Sequence, residues 1–235
     1  MIQNFYLTPL QCPNCGASLE AEEASAVFYC LTCRLGSELR GGKFLSYPLH
    51  FASAPQSSPV GAIHELPLLY LPFWVIEAQI EIMTRQYART GPEADYWRNF
   101  YKQLKSSLPG ANITPAQEGP QTLHLFVPAF ATTNIAAYTT NLGVALTQAQ
   151  PAFEKGMPVP PRPCIYGSQE ALVLAEIIFM ALETRETANL LRLEFNLKPL
   201  CQEIWTLPFY QDKEFLVEPK TGAKMLAAGL EAIKE

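Results

Sequence analysis

The chain has 235 residues and a mass of 26.1 kDa, is 49% hydrophobic and 17% charged, and carries a formal net charge of -5. That apolar content supports one large core or two smaller ones, and it excludes a polyelectrolyte or a compositionally disordered chain. The first 33 residues hold no Lys or Arg, so no secretory signal is expected and the expected location is cytoplasmic. The most membrane-like window, Ala171 to Leu182, is twelve residues long and contains Glu176, well short of the ~20 apolar residues of a bilayer span, so no membrane span is expected.

Four of the six cysteines fall in two C-x-x-C pairs, Cys12-Pro-Asn-Cys15-Gly and Cys30-Leu-Thr-Cys33, separated by fourteen residues. Two residues between paired cysteines let one tight turn aim both sulfurs at a single ion, and Gly16 suits the bend that follows. Ala26-Val27-Phe28-Tyr29 is β-prone and leads straight into the second pair, so a short hairpin brings the pairs together. Thioredoxin-type chemistry is disfavoured, because a redox C-x-x-C opens a helix after a strand, whereas Pro-Asn here precedes a glycine turn.

Residues 10 to 45, with a CP-x-C-G first knuckle and an aromatic-Cys-x-x-Cys second knuckle, resemble the zinc ribbon, the rubredoxin-like family of four-cysteine modules. Gly36 departs from the pattern, lying three residues after Cys33 where many ribbons place glycine sooner. The resemblance implies one structural Zn2+ held by Cys12, Cys15, Cys30 and Cys33, with no open coordination position. Binding energy on the order of 10 kcal/mol would then fold a segment that lacks a core of its own.

Residues 52 to 61 are small, polar and proline-punctuated. The expected organisation is a ribbon over 1–50, a linker over 51–61 and an α+β domain over 62–235, the last with a mixed, mostly antiparallel sheet and packed helices. Trp74, Ile76, Ala78, Ile80 and Ile82 alternate with Glu77, Gln79 and Glu81, which predicts a long strand. Pro92 to Leu108 reads as a helix with an aromatic stripe, and Thr122 to Phe130 as a strand. Asn134 to Gln150 reads as a helix stopped by Pro151, followed by a proline-rich connection over 151–163. Ser168 is expected to cap a helix that is apolar nearly all round from Ala171 to Leu182 and therefore buried between layers. Two strands follow, at Leu191 to Leu197 and Ile204 to Tyr210, then a Gln211-Asp212 turn, a strand at Phe215 to Glu218 and a closing helix from Ala223 to Ile233.

Leu71-Pro72-Phe73-Trp74, Val127-Pro128-Ala129-Phe130 and Leu207-Pro208-Phe209-Tyr210 repeat one chemistry, which reads either as three similar strand entries or as two similar halves joined by 151–163. Proline removes a ladder donor and favours edges, so Pro72, Phe73, Trp74, Pro208, Phe209 and Tyr210 are candidate protein-interaction residues. Arg85, Arg89, Arg98, Lys102 and Lys105, interleaved with Tyr87, Tyr96, Trp97, Phe100 and Tyr101, form a candidate nucleic-acid surface, although Glu93, Asp95 and a pI near 5.3 work against phosphate affinity.

No catalytic set emerges. His50, His64 and His124 stand alone in sequence, and Pro67 breaks the helix that a metalloprotease motif starting at His64-Glu65 would need. Cys164 and Cys201 lie in apolar surroundings and read as buried, inert thiols. The expectation is a non-enzymatic adaptor or structural subunit of an intracellular complex with protein partners, the alternative being a nucleic-acid-associated factor using the ribbon and residues 85–105.

Overall fold

A computed structural model of the chain describes residues 10–19, 22, 24–54, 68–87, 119–134, 138–186 and 190–230. Among the described residues the architecture is α+β, a mixed eight-stranded sheet with few helices. Its two longest members are β4 (Leu68–Tyr87) and β6 (Leu190–Asp212), paired antiparallel along nearly their whole lengths. β5 (Gln121–Pro128) flanks β4. On the other side of β6 the order continues through β3 (Lys43–Phe51) and β2 (Leu35–Arg40) to β1 (Val27–Cys30). Every pairing is antiparallel except β3 with β6, where Leu49, His50 and Phe51 run parallel to Ile204, Trp205 and Thr206. β3 thus spans the boundary expected at residue 50 and ties the four-cysteine segment into the large sheet. Ala52 continues that tie by donating its N–H to the Thr206 carbonyl at 2.9 Å. Of the expected linker, residues 55–61 lie outside the described residues.

Alternation in β4 and β5 builds a core on each face of the sheet, because successive strand side chains point to opposite sides. Trp74, Ile76, Ala78 and Ile80 join Leu125, Val127, Val27, Leu49 and Ile204 on one face. Leu71, Phe73 and Val75 join Phe126, Phe130, Leu207 and Phe209 on the other. α2 (Ser168–Glu186) covers the first face through Ala171, Ala175, Ile178, Phe179 and Leu182. Its opposite side is not enclosed. Val173 is 58% and Met180 42% exposed, so the helix lies on the sheet rather than between layers, which corrects the expectation from its all-round apolar sequence.

Four further expectations are corrected. The strands foreseen at 191–197 and 204–210 are one strand, β6, because β4 supplies a partner on both sides of a bulge at Glu77/Ala78 and carries the ladder through. Of the helix expected over 134–150, residues 135–137 lie outside the described residues, and 139–149 form a π-helical turn (Thr139–Gly143) followed by the six-residue α1 (Val144–Ala149) rather than one regular helix. The turn passes close to its neighbours at Gly143, where a Cβ would stand 2.6 Å from Ile178 Cδ1 and 2.8 Å from the Phe126 carbonyl oxygen.

The closing helix is instead β8 (Lys224–Leu226) and a 3-10 turn (Ala227–Gly229), with β8 paired to β7 (Phe215–Val217) and residues 231–235 outside the described residues. Tertiary pairing overrides local propensity here. Buried Glu218 organises the connection by accepting the N–H groups of Lys220 and Thr221 at 3.0 and 2.7 Å, which aligns Met225 for the core. The β6–β7 turn also moves from 211–212 to Lys213-Glu214, where Lys213 takes a φ of 55°. The helix expected over 92–108 lies outside the described residues.

Candidate metal centre

The sulfurs of Cys12, Cys15, Cys30 and Cys33 all lie within 4.8 Å of one another. A tight turn sets the first pair, with the Gly16 N–H bonded to the Cys12 carbonyl at 2.9 Å, the Cys12 N–H to the Ala17 carbonyl at 2.7 Å, and Gly16 at a φ of 73° that suits glycine. The second pair sits between β1 and β2, whose register places Cys30 opposite Leu35. There the Cys33 N–H donates to Cys30 Sγ at 3.4 Å, and Asn14 Nδ2 donates to Cys33 Sγ at 3.2 Å.

The donor set fits a tetrahedral ion. Four sulfurs with metal–sulfur bonds of ~2.3 Å stand about 3.8 Å apart, and Cys15 Sγ is 3.7 Å from Cys30 Sγ. A disulfide would require ~2.05 Å, and all six cysteines are free. The little cluster around the centre, Cys12, Leu19 and Cys30 with Phe28, Cys33 and Phe44 against them, is too small to order the segment through apolar burial alone. The four cysteines are positioned to bind a metal ion.

The thiols do not titrate alike. Burial raises Cys12, but the N–H groups of Cys15 and Asn14 and the neighbouring thiols outweigh it and hold Cys12 down to about 7. Burial pushes Cys30 up. At Cys33 the Asn14 donor pulls down, yet the crowding of Cys15, burial and the remaining thiols carry it to about 12. Sulfurs this close cannot all ionise without a cation among them, so metal binding expels protons.

Gly36 and Arg34 explain the departure at the second knuckle. Arg34 itself takes the left-handed turn, at a φ of 54°. Gly36 serves packing instead. A Cβ there would stand 2.5 Å from Ile204 Cδ1 and 3.0 Å from Val27 Cγ1, so glycine lets these two core side chains pack directly against the β2 backbone.

The remaining candidates are dispersed. Phe73, Trp74, Phe209 and Tyr210 are buried, and Pro72 and Pro208 lie with them, so these six residues form interior and not an exposed docking edge. The three proline motifs meet on adjacent strands, with Phe73 opposite Pro128 and Tyr70 opposite Pro208. The Phe73 ring lies edge-on to Phe130 at 5.6 Å and stacked with Phe209 at 6.0 Å. Pro72 is tolerated inside the sheet because the Ala129 carbonyl, which an amide at 72 would reach, accepts the Ile165 N–H at 2.8 Å instead.

Among the cationic candidates Arg85 forms an ion pair with Glu183 at 2.7 Å, while Arg89, Arg98, Lys102 and Lys105 lie outside the described residues. Cys164 is buried as expected, and burial pushes its thiol up to about 12. Cys201, by contrast, is exposed.

Two features had no sequence signal. His50 Nε2 lies 3.2 Å from a Glu203 carboxylate oxygen and its ring 4.7 Å from Trp205, an association made by the parallel β3–β6 pairing. Glu38, a lone acid in β2, is 92% buried and accepts the N–H of Ser168 at 3.1 Å and the hydroxyl of Tyr47 at 3.4 Å. Ser168 therefore does not cap its own helix as expected; a carboxylate from β2 satisfies the first N–H of α2. Compared with models of known protein families, with curated proteins and with solved structures, the chain matches none.

Proposed function

We propose that the chain is a non-enzymatic adaptor or structural subunit of an intracellular protein complex, built on an N-terminal zinc ribbon that holds one structural Zn2+ through Cys12, Cys15, Cys30 and Cys33. The observation that carries this reading is the closed donor set: four protein sulfurs within 4.8 Å of one another leave a tetrahedral ion no position for water or substrate. An ion so enclosed stiffens the chain rather than reacting. Thiols kept free for a metal suit a reducing compartment. The buried, proton-holding Cys164 is unsuited to nucleophilic work. The rival reading, nucleic-acid binding through residues 85–105, is weakened by Arg85, whose charge is paired with Glu183.

Metal analysis of the purified chain is expected to return one zinc per chain, lost in Cys12→Ser and Cys30→Ser; a metal-free native preparation overturns the zinc assignment. Affinity purification from the native source is expected to retain a defined protein partner that Cys12→Ser loses. A chain recovered alone defeats the subunit reading. Retention on DNA or RNA at moderate salt, abolished by charge reversal at Arg98 and Lys102, establishes the rival instead.

A further inference from the structure

We propose that metal occupancy at the four-cysteine centre is transmitted to the N-terminus of α2, with Glu38 as the latch; this rests on the metal-site reading above. The segment entering α2 is tied to β1 and β2 at several points, all close in sequence to the metal ligands. The Cys164 carbonyl accepts the N–H groups of Ala26 and Val27 at 2.8 and 3.2 Å, just before β1 runs into Cys30. Tyr29 donates its hydroxyl to the Arg162 carbonyl at 3.4 Å. Beyond Cys33, β2 contributes Glu38, which accepts the Ser168 N–H, and Arg40, whose guanidinium donates to Ser168 Oγ at 3.4 Å.

These ties need β1 and β2 to keep their register, and that register runs up to the metal. The β1–β2 ladder ends at Cys30 opposite Leu35, so the loop that closes it carries Cys33 and is shaped by the two ligands it spans. Releasing the ion frees that loop and leaves four crowded thiols without the charge that holds them together. β2 keeps its ladder with β3, from Leu35 opposite Pro48 to Arg40 opposite Lys43, but loses the restraint from the β1 side, where Val27 stands opposite Glu38, and the Glu38 carboxylate is then less firmly held beneath the helix. The first N–H groups of a helix have no partner within the helix, so the Ser168 N–H depends on this carboxylate or on water.

The rest of α2 is held independently. Ala175, Ile178, Phe179 and Leu182 are buried in the core. At the entry itself Gln202 Nε2 donates to the Ser168 carbonyl at 3.2 Å and Trp74 Nε1 to the Tyr166 carbonyl at 2.8 Å, so the backbone there stays on the sheet and it is the Ser168 N–H that depends on Glu38. The device is therefore local: one end of the helix responds to the metal while its middle does not.

Amide hydrogen exchange on the full chain tests this, comparing the zinc-loaded protein with the same sample after a chelator, alongside metal analysis and the absorption spectrum of the Co2+-substituted protein. Stripping the metal is expected to speed exchange at Ser168 by about tenfold or more, with amides 175–182 still protected. Glu38→Met, which removes the acceptor, is expected to reproduce the fast Ser168 amide while zinc stays bound at one per chain. The wild-type comparison stands without the variant. Zinc release that speeds only residues 10–33 overturns the proposal, as does loss of protection throughout α2. A chain that takes up neither Zn2+ nor Co2+ overturns the metal reading itself, and this separates the two failures.

Discussion

At Gly36 a missing side chain does structural work that the cysteine pattern conceals. Ile204 is fully buried, so its Cδ1, 2.5 Å from a methyl group placed here, can move aside only at the expense of the packing around it. Gly36→Ala is therefore expected to cost about 1–3 kcal/mol, seen as a lower urea midpoint with an unchanged slope. An unaltered midpoint would show that the Ile204 side chain makes room without loss of packing. His50 makes the opposite kind of statement, through charge. Burial lowers its pKa below the ordinary 6.5, with Glu203 opposing and Lys155 and Arg34 reinforcing the shift. The folded protein thus prefers neutral His50. That contribution to stability is complete above 6.5 and declines as pH falls from 6.5 through the depressed folded value. Urea midpoints between about pH 7.5 and pH 5 should fall more for the native chain than for His50→Gln, and parallel curves would remove His50 from the account.

Among the elements, the β4–β6 ladder shows how an alternating sequence becomes a long strand and where it must yield. Register shifts fall at Glu77/Ala78 and Ile82/Thr84, and the residues they leave over, Leu200 and Met83, are 51% and 64% exposed. Bulges turn these apolar side chains outward and twist the strands, while Lys198 and Pro199 beside Leu200 discourage edge pairing. α2 is fastened to this ladder by the Arg85–Glu183 ion pair, whose side chains are 17% and 7% exposed. Removing one partner strands the other in a poorly hydrated place. Arg85→Met should lower stability by about 3 kcal/mol, and Arg85→Met with Glu183→Met should recover much of that loss. Equal destabilisation by the single and double substitutions would mean that the pair is not coupled.

Across the whole molecule, the ligand set was legible because metal coordination imposes a spacing that a linear sequence preserves, two residues within each cysteine pair and fourteen between the pairs; the hairpin expected between the pairs is instead β1 with β2, closing around the second pair. β4 and β5 were legible for a similar reason, since a strand with unlike faces writes a period of two. The end of the chain was not. Ala223 to Ile233 has helical spacing, yet a strand partner and a buried carboxylate at Glu218 claim residues 224–226 for the sheet. The proline-aromatic motifs misled in another way. Their prolines suggested edges, but Ile165 reaches across to the Ala129 carbonyl that Pro72 cannot serve, and the rings close a core. Sequence alone determined the sulfur quartet and the alternating strands, because both are written in short-range spacing. Tertiary structure alone decided the joining of the cysteine segment to the large sheet, the Glu38 cap on α2 and the His50–Glu203 pair. Each depends on residues more than a hundred positions apart, held together by a parallel β3–β6 contact that no local pattern encodes.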